Sequence, residues 1–201
     1  MIQVRRVLLA LAIAALPVIA GCSSSSTSPA PTPTPVPTTR LYVSNDGGSG
    51  LVQIFAPTFS AASTPAVAFQ DGTSTDVDDV AFDGTGRLYV GNYFQNQVDV
   101  FSPPFTNTST SSFSIVTGNG PEGIDLDASG NLYVSNQTSA NITIYNAPLS
   151  GTSTAAVTIP VAGSHPVGLK IHAGVMYVAD NTRRPDFVRN CPRRGVDALV
   201  C

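Results

Sequence analysis

Asp76, Asp78 and Asp79 stand within four residues of one another, and Glu122, the one glutamate of the chain, occupies the matching place in a later, related segment. Carboxylate oxygens brought together in this way suit a hard divalent cation such as Ca²⁺ or Mg²⁺. The competing reading is a set of solvated loop acids. The two histidines, His165 and His172, fall in no H-x-x-H or H-E-x-x-H spacing. No G-x-S-x-G turn and no phosphate-binding glycine loop is present, so no catalytic residue is assigned. Asn45, Asn92, Asn136 and Asp180 recur at a fixed place in the chain. Residues that repeat serve the repeat first, and these four are expected to cap strand ends by bonding nearby backbone.

The elements that must position these groups follow from a recurring pentapeptide. LYVSN starts at residues 41 and 132, LYVGN at 88 and MYVAD at 176, so the spacings are 47, 44 and 44 residues. A period in the forties marks a solenoid or a propeller. Within one period, residues 123–127 alternate apolar and polar as a strand does. Residues 128–130 (Ala-Ser-Gly) form a tight turn. Residues 131–136, 141–148 and 155–160 supply three further strands, the third closed by a proline that cannot donate to a ladder. Four antiparallel strands per period, with no helical periodicity, is the anatomy of a propeller blade. Counted this way, residues 40–180 hold strands two to four of one blade, two whole blades, and strands one and two of a fourth. Tyr42, Tyr89, Tyr133 and Tyr177 are expected to pack blade against blade. The segments that start strand one, Asp78-Asp79, Glu122-Gly123 and Val167-Gly168, differ between repeats and are the better candidates for a site.

The stretch PEGIDLDASGNLYVSN (residues 121–136), followed by Ile142-Thr143-Ile144-Tyr145, resembles an NHL repeat. The wider group is similar to the YncE-like and sugar-lactonase propellers. This resemblance covers residues 40–180 and implies an all-β, incomplete propeller of about three to three and a half blades. It further implies a carboxylate and amide metal site at the channel mouth. Asp78, Asp79 and Glu122 are the candidate carboxylates at that mouth; the full ligand set of those relatives does not map onto this chain residue by residue. Closed relatives complete the first blade with a strand from the C-terminus, which residues 181–201 do not provide.

The flanks read differently. Residues 1–21 carry Arg5 and Arg6 before an apolar run too short for a comfortable membrane span of ~20 residues, the pattern of a secretory signal. Ile19-Ala20-Gly21-Cys22 resembles the bacterial lipobox, which implies a diacylglycerol on Cys22 and a membrane anchor of several acyl chains. The competing reading is an ordinary signal with an incidental cysteine. Ser23 after it permits export to the outer membrane. Residues 22–39 are a Ser/Thr/Pro linker that favours an extended polyproline rod. Residues 181–201 hold five of the ten basic residues and two of the three cysteines. That tail is expected to be out-of-frame or foreign sequence ending a truncated propeller. Otherwise it is a genuine basic tail with Cys191 and Cys201 joined in an oxidising compartment.

The body between the flanks is acidic, with Arg40, Arg87 and Lys170 as its basic residues. That balance disfavours phosphate backbones, so nucleic acid is not an expected partner. The expected location is the bacterial cell envelope: the outer membrane or periplasm of a diderm, or the outer face of a monoderm membrane. The expected role is a lipid-anchored, non-enzymatic binding or scaffold module for a protein, glycan or peptide. The alternatives are a metal-dependent, lactonase-like hydrolase and a non-functional propeller fragment whose open edges pair with another chain. No cofactor is expected beyond a candidate divalent cation.

Overall fold

The computed structural model describes residues 39–70 and 74–182. The signal segment, Cys22, nearly all of the linker, and the tail cysteines Cys191 and Cys201 lie outside the described residues. No helix occurs among the described residues. Their thirteen strands form four antiparallel sheets in chain order.

The first sheet has three strands, β1 (Leu41–Ser44), β2 (Leu51–Phe55) and β3 (Val67–Gln70). The second has four, β4 (Val77–Phe82), β5 (Leu88–Asn92), β6 (Gln97–Phe101) and β7 (Phe113–Val116). The third repeats it with β8 (Pro121–Leu126), β9 (Leu132–Asn136), β10 (Asn141–Tyr145) and β11 (Val157–Pro160). The last is the pair β12 (Pro166–His172) and β13 (Val175–Asp180). This is the expected series of blades, and each pentapeptide is strand two of its blade, the first sheet having no strand one among the described residues. In register, Tyr89 lies opposite Val100 and Tyr133 opposite Ile144.

The turn from strand one to strand two shows why the repeat needs its aspartate. Asp127 Oδ1 accepts the N–H groups of Ser129 at 2.8 Å and Asn131 at 3.0 Å. Its Oδ2 accepts from Asn131 Nδ2 at 2.9 Å and from the Tyr133 hydroxyl at 3.1 Å. Gly130 ends the turn at φ 81°, a left-handed conformation that a side chain would strain. Asp83 repeats the arrangement one sheet earlier, with Arg87 Nε at 2.7 Å in place of the asparagine. Burial opposes the Asp83 charge, but the Thr85 and Arg87 hydrogen bonds outweigh it and hold the carboxyl down at about 2.

Two apolar clusters hold the sheets face to face. Val52, Ile54 and Phe69 of the first sheet pack on Val77, Leu88, Val90 and Phe101 of the second. Tyr89, Val98, Val100 and Ile115 of the second pack on Ile124, Leu132, Val134 and Tyr145 of the third. Each fully buried aliphatic or aromatic side chain contributes on the order of 1.5–3 kcal/mol. Tyr89 is buried and Tyr42 meets Phe82 edge-on at 4.7 Å, whereas Tyr177 is exposed, because no sheet follows the last among the described residues.

Polar contacts join the same faces. Ser44 Oγ donates to Asp78 O at 2.8 Å, and Ser135 Oγ donates to Val167 O at 2.6 Å. In the first and third sheets the fourth residue of the pentapeptide thus ties its sheet to strand one of the next; Gly91 and Ala179 stand at that place in the other two. At Gly123 the next sheet comes so close that a Cβ would lie 2.2 Å from Val167 O.

Candidate functional site

Strand one of the last three sheets starts with an irregularity. The ladder slips between Val77 and Val80, between Pro121 and Gly123, and between Pro166 and Leu169. Such a bulge leaves residues unpaired and re-aims their side chains. Asp78, Asp79 and Glu122 sit in these slips, outside the in-and-out alternation of the strand.

The bulge separates the two adjacent aspartates. Asp79 turns toward the third sheet: its Oδ1 accepts the Val80 N–H at 2.8 Å and its Oδ2 accepts the Ile124 N–H at 3.1 Å. Lys170 Nζ stands 3.8 Å from the same Oδ2. Burial raises the Asp79 carboxyl, and the Ile124 N–H and Lys170 act against that rise. Asp79 is thus bound into the frame. Asp78 faces the other way, toward acids rather than donors.

One carboxylate oxygen from each of Asp46, Asp76 and Asp78 lies within 4.8 Å of the other two. Asp46 follows β1, and Asp76 immediately precedes β4. Asp76 is buried, and its Oδ1 accepts the Gly47 N–H at 3.1 Å. Asp78 Oδ2 and Glu122 Oε2 are buried atoms without a hydrogen-bond partner. Burial, then the charges of Asp76, Glu122, Asp46 and Asp79, pushes Asp78 up to about 7. Asp76 is raised by burial and then by its hydrogen bond with Asp46. Glu122 is raised by burial and then by the charges of Asp46 and Asp76.

Magnitude decides what such a group can do. Two like unit charges at the cluster's spacing repel by roughly 3 kcal/mol at an effective dielectric of ~20. Fully ionised, the cluster repels itself; it is relieved by protons or by a cation. Oxygen-only ligands on loop and bulge backbone fit Ca²⁺ or Mg²⁺ better than a softer metal. Beside the cluster opens a cleft of about 850 Å³ whose lining includes Asp46, Asp78, Glu122, Lys170 and Tyr177.

Of the residues expected from sequence, Asp76, Asp78 and Glu122 gather at the cluster, and Asp79 lines the same cleft while accepting the Ile124 N–H. Asp46 was not expected. The signal that locates it is topological: the end of strand two lies beside the start of strand one, as Asn92 lies opposite Val77. A residue just past the first pentapeptide therefore reaches the same end of the molecule. The repeating polar residues there bond variously. Asn92 Nδ2 donates to Asp99 Oδ2 at 3.0 Å, and Asn136 Nδ2 donates to Asn141 Oδ1 and Thr143 Oγ1, both at 2.9 Å. These two bond side chains of strand three and also reach nearby backbone: Asn92 Oδ1 accepts the Gln95 N–H at 3.4 Å, and Asn136 Nδ2 donates to Val134 O at 3.5 Å. Asp180 accepts the backbone N–H groups of His165 at 3.0 Å and Thr182 at 2.7 Å, whereas Asn45 Oδ1 takes the Ser49 hydroxyl at 3.2 Å. Neither His165 nor His172 is among the residues that line the cleft.

No protein-family model matches the chain, and no curated protein matches it. Solved structures do. A candidate 6-phosphogluconolactonase of Bacteroides fragilis is 23% identical with a TM-score of 0.52, over 64% of this chain and 37% of that one. A protein from Lactobacillus plantarum is 14% identical with a TM-score of 0.52, over 69% of this chain and 44% of that one. The virginiamycin B lyase of Staphylococcus aureus is 15% identical with a TM-score of 0.46, over 73% and 50%. The chain spans less than half the length of the first two. The fold is a β-propeller, represented among the described residues by two full and two partial blades.

Proposed function

We propose that this chain is a cell-envelope lipoprotein whose propeller is a non-enzymatic binding module, with a divalent cation held at the cleft as part of its binding surface. The observation that carries the reading is the Asp46–Asp76–Asp78 cluster, with a buried, unpartnered oxygen on Asp78 and another on neighbouring Glu122. Asp46, Asp76 and Asp78 would hold the ion, and Glu122 would complete or orient the set. A bound cation supplies positive charge and open coordination positions for an oxygen-rich ligand such as a glycan or an acidic peptide. The chain's own part is to fix three acids on bulge and loop backbone and to keep Lys170 engaged with Asp79.

The test is a thermal scan of the full chain with Ca²⁺, Mg²⁺, Mn²⁺ and Zn²⁺. An ion at 100 times its Kd stabilises by about 2.7 kcal/mol, which is a rise of roughly 8 °C for a body of this size. Asp76→Asn should remove most of that rise. Absence of any shift with all four ions ends the proposal. The lipid anchor is tested separately, by labelling with a radioactive fatty acid that disappears in Cys22→Ser.

The size of the cleft favours a second reading, a metal-dependent hydrolase of the lactonase kind. Cation-dependent opening of a sugar lactone, lost in Asp78→Asn, would support it. A cation shift without turnover leaves the binding module.

A further inference from the structure

The two outer sheets present faces that match each other. Within the pentapeptide, the first and third residues face the preceding sheet and the second faces the following one. Leu88 and Val90 pack against Ile54 and Phe69 of the first sheet, while Tyr89 packs against Leu132 and Val134 of the third. The loop between strands three and four adds an anchor to the preceding-side face. Phe105 of the second sheet's loop lies 6.3 Å from the Phe69 ring and 6.2 Å from the Tyr42 ring of the first sheet, and Leu149 of the third sheet's loop lies in the cluster shared with the second. Three such loops share one hydroxyl turn: Ser63 Oγ accepts the Ser60 N–H at 2.8 Å, Ser109 Oγ the Thr106 N–H at 2.8 Å, and Ser153 Oγ the Ser150 N–H at 2.9 Å.

Phe59 is the third copy of that anchor, and it is 51% exposed. Leu41 is 46% exposed where its counterparts Leu88 and Leu132 are 0%. At the far end Tyr177 is 53% exposed where Tyr89 is 0%. Among the described residues, the first sheet thus carries an uncovered preceding-side face, and the last sheet an uncovered following-side face.

We propose that a second copy of this chain covers both, with the Phe59–Leu41 face of each copy seated on the Tyr177 face of the other in a closed head-to-tail pair. A second copy is the occupant because the two faces are halves of one interface that the chain already makes internally between consecutive sheets. The pair continues that interface across the molecules, face to face rather than edge to edge. A heterologous contact of this kind closes as a ring when the rotation allows and otherwise grows without end. Propellers close at roughly 4–8 blades, a range that admits two copies of the four described sheets and no third.

Sedimentation equilibrium of the full chain carrying Cys22→Ser, so that no lipid joins the copies, tests the pair. The expected mass is that of two chains. Phe59→Asp and Tyr177→Asp each place a charge in both contacts and should weaken association on the order of 100-fold or more, to single chains. Both residues are exposed, so circular dichroism should show an unchanged fold. A 1:1 mixture of the two variants should recover a two-chain species, because one of its two contacts joins unaltered faces. A single-chain mass for the unsubstituted protein overturns the proposal, as do a mass that grows beyond two chains, single variants that stay paired, or a mixture that stays single.

Discussion

Asp78→Asn should stabilise the cation-free protein at pH 8 and leave it unchanged near pH 4. Asp78 is held at about 7 in the fold against an ordinary 3.8, chiefly by burial and then by Asp76, Glu122, Asp46 and Asp79. A carboxyl raised on folding binds its proton more tightly in the native state than in the unfolded one. Between pH 4 and 7 the native state therefore holds more protons, and stability falls as pH rises through that window. Taken at face value, about three pH units at 1.36 kcal/mol each is roughly 4 kcal/mol. The side chain is only half-buried, and solvent screening reduces this to about 1–2 kcal/mol. The asparagine removes the charge, and its amide donates to oxygens that now face only other acids. For this length the gain is a melting temperature roughly 3–6 °C higher at pH 8 in chelator, shrinking to nothing at pH 4. Differential scanning fluorimetry across pH reads it directly. A lower melting temperature for Asp78→Asn at pH 8, or a gain equal at both pH values, would refute the electrostatic account of the cluster.

Other expectations concern the frame. Gly91→Ser should restore the hydroxyl contact that Ser44 and Ser135 make, since a Cβ there meets nothing nearer than Pro121 O at 3.5 Å; chemical denaturation should show a gain of about 1–2 kcal/mol. Gly123→Ala should cost about 3 kcal/mol or more in the same assay, because its Cβ would strike the backbone at Val167 and Leu169. Asp83→Ala should cost about 1–2 kcal/mol at pH 7 through the lost turn bonds. That cost should fade as pH drops from about 4 toward 2, because a carboxyl held at about 2 contributes only while ionised.

Blade order was legible because the pentapeptide fixes phase, and a strand-two marker in each sheet leaves little freedom for the rest. Strand ends were less so. Strand three was read to residue 148 and stops at Tyr145, and strand four was read from residue 155 and starts at Val157. The ladder closes before the Ser/Thr turns, which use hydroxyls in place of strand partners. The site was half legible. Asp78 and Asp79 are adjacent, chemically alike and both line the cleft, and only the bulge decides that one joins the acid cluster while the other accepts the Ile124 N–H. Asp46 sat in a glycine-rich turn with no neighbour in sequence to mark it. The serine of the pentapeptide went unassigned because its partner, a carbonyl of the next sheet, leaves no trace in composition or spacing.

Calorimetric titration of Ca²⁺ or Mg²⁺ into the full chain, repeated in buffers of different ionisation enthalpy, counts the protons released on binding. If the ion sits on Asp46, Asp76 and Asp78, it must displace the proton that Asp78 holds at about 7. The account predicts release of about half a proton at pH 7, approaching one at pH 6 and near zero at pH 8.5, with binding lost in Asp78→Asn. Absence of binding, or binding with no proton release at pH 6, would contradict it.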